Sequence, residues 1–262
     1  SINAIDPVRY LADGRPVFGS ARLDPRFDFI QMAESAGNSQ YDAFSLQLRK
    51  RFSDGILFSA NYTLSRAIDD APEQNVATGG AQIVISDPTD RGRDKGRSLS
   101  DQRHTFSMSF VANPRFEIGN RLFNSVLNNN QIGLIVAANS GERFNIVADT
   151  DLNRDGSPAS QGIQVSDRPV GIKRNAGKTP PQLNIDLRFS RLIRLNERFR
   201  IEAFADFINV FNINSITGYT DPSVPVDTWT GELTGPLPDF KARDRSTAQE
   251  SRQVQLGFKF HF

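Results

Sequence analysis

The last ten residues of the chain, 253–262, read Q-V-Q-L-G-F-K-F-H-F. Val254, Leu256, Phe258, Phe260 and Phe262 fall on one face of an extended segment; Gln253, Gln255, Gly257, Lys259 and His261 fall on the other. Successive strand side chains point to opposite sides of a sheet, so this unbroken alternation predicts a strand with one apolar and one polar face. Strands of soluble domains are commonly about 5–6 residues long. About 9–11 residues are what a tilted strand needs to cross a bilayer in a barrel. The length of the segment and its Phe at three alternate positions favour a membrane barrel over a soluble sandwich, which is the other reading of the same pattern.

The remainder of the chain repeats this pattern. Phe44, Leu46, Leu48 and Phe52 alternate with polar residues, as do Ile56, Phe58, Ala60, Tyr62 and Leu64. The same holds for Phe106, Met108 and Phe110, for Leu183, Ile185, Leu187 and Phe189, and for Phe199, Ile201, Ala203, Ala205 and Phe207. A strand near 131–139 has a blurred period, and a weak one is expected near 26–36. The expected fold class is therefore all-β, with about eight antiparallel transmembrane strands. Polar, Gly-rich connections near 67–102, 140–181 and 212–250 are expected to be long loops, alternating with shorter turns. Residues 1–25 read as an irregular lead-in and 26–262 as the barrel segment.

Composition excludes several other classes. No run of about 18 apolar residues exists, so a transmembrane helix is excluded. A mean hydropathy of −0.43 does not argue against a membrane strand, because every second residue faces a polar interior. Lys plus Arg is 31 and Asp plus Glu is 30, a balance without the basic footprint of a nucleic-acid binder. The absence of Cys excludes disulfides and thiolate metal sites.

Two registers follow from the alternation. A three-residue turn at Ser53, Asp54 and Gly55, with Gly55 left-handed, pairs Phe52 with Ile56, Leu48 with Ala60 and Leu46 with Tyr62. A tight turn centred on Glu197 sets Arg188 opposite Asp206 on the polar face, which avoids opposing Asp186 with Asp206.

No catalytic constellation is present, since His104 and His261 lie at opposite ends of long strands; the expectation is that the chain is not an enzyme. Asp149, Asp151, Asn153 and Asp155, followed by Gly156, match the front of an EF-hand-type loop and are the candidate calcium ligands. The twelfth position from Asp151 is Gly162, so the bidentate Glu is missing, and Asp167 is the residue that could complete a shell. An Asx-rich turn explains the same residues without a metal. The charged run at 90–97 reads as a solvated loop whose alternating signs cancel, with a grip on an anionic ligand or lipopolysaccharide as the alternative. Arg49, Arg51, Arg188, Arg200, Glu202, Asp206 and Lys259 are expected to face the lumen.

The stretch N-S-Q-Y-D-A-F-S-L-Q-L-R-K-R-F-S-D-G at 38–55 and F-S-A-N-Y-T-L-S-R-A-I-D-D at 58–70 resembles the barrel of Oar-like TonB-dependent outer-membrane receptors. So do D-Q-R-H-T-F at 101–106, D-R-P at 167–169, N-I-D-L-R-F at 184–189 and F-A-D-F-I-N-V-F-N at 204–212. The resemblance implies a barrel of about 22 strands with a plugged lumen. The chain has room for about eight of those strands and contains neither plug nor TonB box, so it resembles the C-terminal third of such a barrel. Import of a bulky nutrient is what the resemblance implies. It also implies a bacterial outer-membrane location with loops outside the cell. The implied partners are outer-membrane lipid and lipopolysaccharide, a plug domain, TonB and an unknown extracellular ligand. The rival expectation is a stand-alone or structural barrel, or an adhesin, whose loops bind partners.

Overall fold

The computed structural model describes the chain apart from residues 1–2, 4–5, 28–29, 31–34, 71–84, 88–89, 118, 155–166, 220, 241–244 and 248–250. Seven long strands are described: β1 (Ser39–Ser53), β2 (Ile56–Asp69), β3 (His104–Ala112), β4 (Asn130–Asn139), β5 (Gln182–Arg194), β6 (Arg200–Ile208) and β7 (Gln253–His261). Each pairs antiparallel with its neighbour in sequence, giving an up-and-down meander from β1 to β7. The eighth member of this sheet is the two-residue strand Gly96–Arg97, which pairs with the end of β2. The described residues contain one α-helix, α1 (Arg121–Leu127), and no helix among them is long and apolar enough to cross a membrane. Of the weak strand expected near 26–36, residues 28–29 and 31–34 lie outside the described residues; Arg26, Phe27, Ile30, Ser35 and Ala36 lie outside strands.

The registers bring like faces together across the whole sheet. Leu46, Tyr62, Phe106 and Ala138 pair in succession, as do Ala60, Met108, Val136 and Ile185. Leu134, Leu187, Phe207 and Val254 continue the apolar face to the last strand. The blurred period of β4 resolves here. Ile132, Leu134, Val136 and Ala138 pair with apolar residues on both sides, whereas Gly133, Ile135 and Ala137 pair into the opposite, polar face.

The β1–β2 turn is tighter than expected. Ser53 pairs with Ile56, so Asp54 and Gly55 alone form the turn, with φ of 51° and 75°. Asp-Gly suits a type I′ turn, whose twist matches that of the flanking strands. The displaced residue is absorbed by an irregularity between Lys50 and Ser53, which restores Leu48 opposite Ala60 and Leu46 opposite Tyr62. The expected pair of Phe52 with Ile56 is therefore not formed. The second register stands as expected: Arg188 lies opposite Asp206.

The buried apolar cluster is not in the sheet. It is in the connections at the opposite end from the short turns. Leu11, Val17, Ala148, Leu152 and Val226 form it, with Val170 and Leu233 packed against them. These residues come from the lead-in, the second long loop and the third. Within the lead-in, Arg9–Tyr10 pairs with Pro16–Val17 as a small hairpin, and Val147–Ala148 and Ser223–Val224 join the two loops in parallel. A cap of loops thus sits over one end of the strand arc.

Candidate functional site

Two polar assemblies lie where a solute could meet the protein: the inner face of the arc and the loop cap above it. On the inner face, Arg188 clasps Asp206 through two hydrogen bonds, Nε to Oδ1 at 2.6 Å and Nη2 to Oδ2 at 2.8 Å. The Arg188 guanidinium also lies 4.5 Å from the centre of the Phe204 ring, and Lys259 Nζ lies 5.6 Å from it. Phe204 lies over Gly257, its partner on β7, where a Cβ would run into the ring. Glu202 pairs with Lys259 and stands 3.5 Å from His261 Nε2. Arg49 pairs with Ser59, and Arg51 falls in the irregular stretch before the Asp54–Gly55 turn. A hollow of about 660 Å³ opens on this face at the short-turn end, lined among others by Arg115, Arg198, Arg200, Glu202 and His261. The other histidine is remote: His104 Nδ1 shares a 2.7 Å hydrogen bond with the Tyr62 hydroxyl on the apolar face of β2 and β3.

Gly257→Val is expected to push Phe204 off the strand and away from Arg188, with a loss of about 1–3 kcal/mol from overpacking. A urea titration of the protein in lipid checks this, and Phe204→Leu in the same chain should recover part of the loss.

The cap is held by buried charges. Asp94 is fully buried and accepts from Ser86 N at 2.8 Å, Ser86 Oγ at 2.5 Å and Arg168 Nη1 at 2.9 Å. Arg168 also donates to the Arg93 carbonyl at 3.0 Å. Arg15, held by Asp13 at 2.8 Å, donates to the Arg168 carbonyl at 2.6 Å. Burial lowers the Arg15 pKa, while the Asp13 carboxylate opposes that shift. The charged run at 90–97 is therefore not a solvated loop: Arg91–Asp94 is a 3-10 turn whose Asp94 faces inward. The alternation of sign that read as solvent exposure instead supplies one inward carboxylate to meet a buried Arg far away in sequence.

The motifs at 101–106, 167–169 and 204–212 place residues at the base of this cap. Asp101 Oδ1 accepts from Ala67 N at 2.9 Å and meets Arg97, while its Oδ2 meets Arg143 at 3.3 Å. Asp167 accepts from Leu152 N through Oδ1 at 2.9 Å, and its carbonyl accepts from Ala148 N at 2.7 Å. Buried Arg174 meets Asp69 at the end of β2, and burial lowers its pKa to about 10. Asn209, at φ 51°, ends β6: its amide N donates to Asp186 Oδ1 at 2.9 Å, and its side chain both accepts from Ile213 N and donates to the Ile213 carbonyl. Asn tolerates the left-handed region better than other non-Gly residues. The sequence signal for these roles was the clustering of Asp and Asn at strand ends, which did not by itself name their partners.

Three of the four candidate calcium ligands lie among the described residues. Asp149 is exposed, Asp151 half-buried and Asn153 buried, while Asp155 lies outside the described residues. Asp167 is tied beside this loop through Leu152 N. No three Asp, Glu or His among the described residues stand close enough to hold a metal.

A search of curated proteins finds no match for the chain. Residues 1–175 match the family model described as outer membrane beta barrel domain. A chain that meanders through long strands with one continuous apolar face and one polar face has the architecture that family describes, and the match covers most of its length. The chain belongs to the outer membrane beta barrel domain family, and the outer membrane is where it resides.

Proposed function

We propose that this chain is one arc of a TonB-dependent receptor barrel of about 22 strands, and that it helps import a bulky nutrient. The observation that carries the reading is the sheet's two open edges. Among the described residues β1 pairs only with β2 and β7 only with β6, and no ladder joins β1 to β7. Backbone groups left unpaired in hydrocarbon cost several kcal/mol each, so only closed barrels persist there. On this reading further strands flank β1 and β7, and a barrel larger than this arc has room for a plug and a pathway. The polar inner wall, with its cross-strand Arg188–Asp206 and Glu202–Lys259 pairs, suits a plug surface or water and needs no catalysis. On this reading the loop cap faces outward and meets both lipopolysaccharide and the ligand. Its exposed Tyr10 and Trp229, the latter stacked on Arg9 at 4.7 Å, offer the kind of aromatic surface a ligand binds.

The rival stand-alone barrel is separated by refolding the 262-residue chain in detergent. The receptor reading expects no protease-resistant monomer with heat-modifiable mobility from this chain alone. Such a monomer would show that β1 and β7 close on each other and would end the receptor reading. For transport, cells with and without the gene should differ in uptake of labelled large oligosaccharides or peptides, and a proton uncoupler should remove the difference.

A further inference from the structure

Helix α1 sits in the connection between β3 and β4, at the short-turn end of the arc. Its Leu122, Phe123 and Val126 are 77%, 59% and 62% exposed. At about 100° per residue these three fall within one arc of the helix, with Arg121, Asn124 and Ser125 on the other side. Seven residues are too few to hold a helix in water by propensity alone. What holds it is a clamp on its last carbonyls. Arg191 donates to the Ser125 and Val126 carbonyls, each at 2.6 Å. Asn130 Nδ2 donates to the Val126 and Leu127 carbonyls, each at 2.9 Å.

The position of the clamp decides what the bare side of α1 meets. Arg191 lies in the same alternate set on β5 as Leu187, Phe189 and Ile193; Asn130 lies in the set of Ile132 and Leu134 on β4. Both sets belong to the apolar wall. These two polar residues of that wall thus direct their donors to the end of α1, which places the helix at the foot of the apolar wall and not on its polar side. Ile132, Phe189 and Ile193 of the same wall are 37%, 43% and 42% exposed, so the apolar surface continues from the strands to the helix.

We propose that α1 is an interfacial foot, lying in the phospholipid leaflet on the short-turn side. Leu122, Phe123 and Val126 enter the acyl boundary, as the apolar face of an interfacial helix does. The exposed Arg121 stays among the headgroups, where its cation suits anionic lipid. The inference rests on the strand wall crossing a bilayer and on the loop cap facing outward as proposed above, and is independent of any transport role.

The absence of Cys allows single labels to be placed cleanly. Phe123→Cys, Arg121→Cys and Leu187→Cys would each be labelled with a polarity-sensitive fluorophore. The protein, purified from membranes, would be reconstituted in phosphatidylethanolamine–phosphatidylglycerol vesicles. The expected result is blue-shifted emission at 123, quenched by a nitroxide lipid labelled near the headgroup and several-fold less sensitive to iodide than at 121. The label at 187 should be quenched by a nitroxide deep in the acyl chain. Equal iodide quenching at 123 and 121 would overturn the proposal, because α1 would then lie in water. Quenching at 123 by neither agent would also overturn it, because α1 would then be covered by protein. Loss of deep quenching at 187 would instead strike the assignment of the strand wall, so the two failures are distinguishable.

Discussion

Replacing Asp94 by Ala is expected to open the loop cap while leaving the strand ladders intact. The Asp94 carboxylate is wholly buried and answers two donors of Ser86 as well as Arg168, whose side chain is only 5% exposed. Its removal leaves a guanidinium buried without its counter-charge, which typically costs about 3–5 kcal/mol. The connected Arg15–Arg168 contact then loses its anchor, and with it the hold of the lead-in on the second loop. Where opening is fast relative to cleavage, proteolysis follows the population of the open form, so cutting within the loops should accelerate by two orders of magnitude or more. Asp94→Asn keeps an acceptor for Arg168 and should have a smaller effect. Unchanged cleavage in Asp94→Ala would show that Arg168 finds another partner and that the apolar contacts of Leu11, Val17 and Val226 suffice alone.

Leu187→Arg is expected to cost about 2–4 kcal/mol in lipid, the amount a cation loses near the midplane of a barrel wall. Leu187 is the suitable position because it lies centrally in the apolar series from Leu183 to Phe189 and pairs with Leu134 and Phe207 on either side. Snorkelling to either rim is hindered there, unlike at Arg191, which finds helix carbonyls at the foot of the wall. Gln47→Arg, one strand face away on the polar side of β1, is the control and should leave stability close to unchanged. Folding titrations in vesicles measure both. Equal costs for the two substitutions would mean that the faces have been assigned to the wrong solvents.

Alternation of side chains is a local property of extended backbone, and for that reason it could be read along the chain. The terminal strand, the apolar sets of β1, β2, β3, β5 and β6, and the Arg188–Asp206 register all follow from period 2 together with charge pairing. The Asp54–Gly55 turn marks a limit. A two-residue turn with a bulge and a three-residue turn lead to the same strand register, so patterning alone cannot choose between them.

The cap could not have been read in this way. Its contacts join residues separated by 74 positions, as Asp94 and Arg168 are, or by 153, as Arg15 and Arg168 are. Loop backbones have no repeating geometry to carry such pairings, so the charged run looked solvated until the fold brought a buried Arg against it. Helix α1 is similar: seven residues are too short for a periodic signal, and only tertiary contacts from Arg191 and Asn130 set it at the foot of the wall. The sequence by itself therefore determined that this protein is a run of long strands, each with one apolar and one polar face, because those depend on neighbours two residues away. Only the tertiary structure decided how the loops and lead-in join into one cap, because that depends on side chains that meet only when distant segments are brought together.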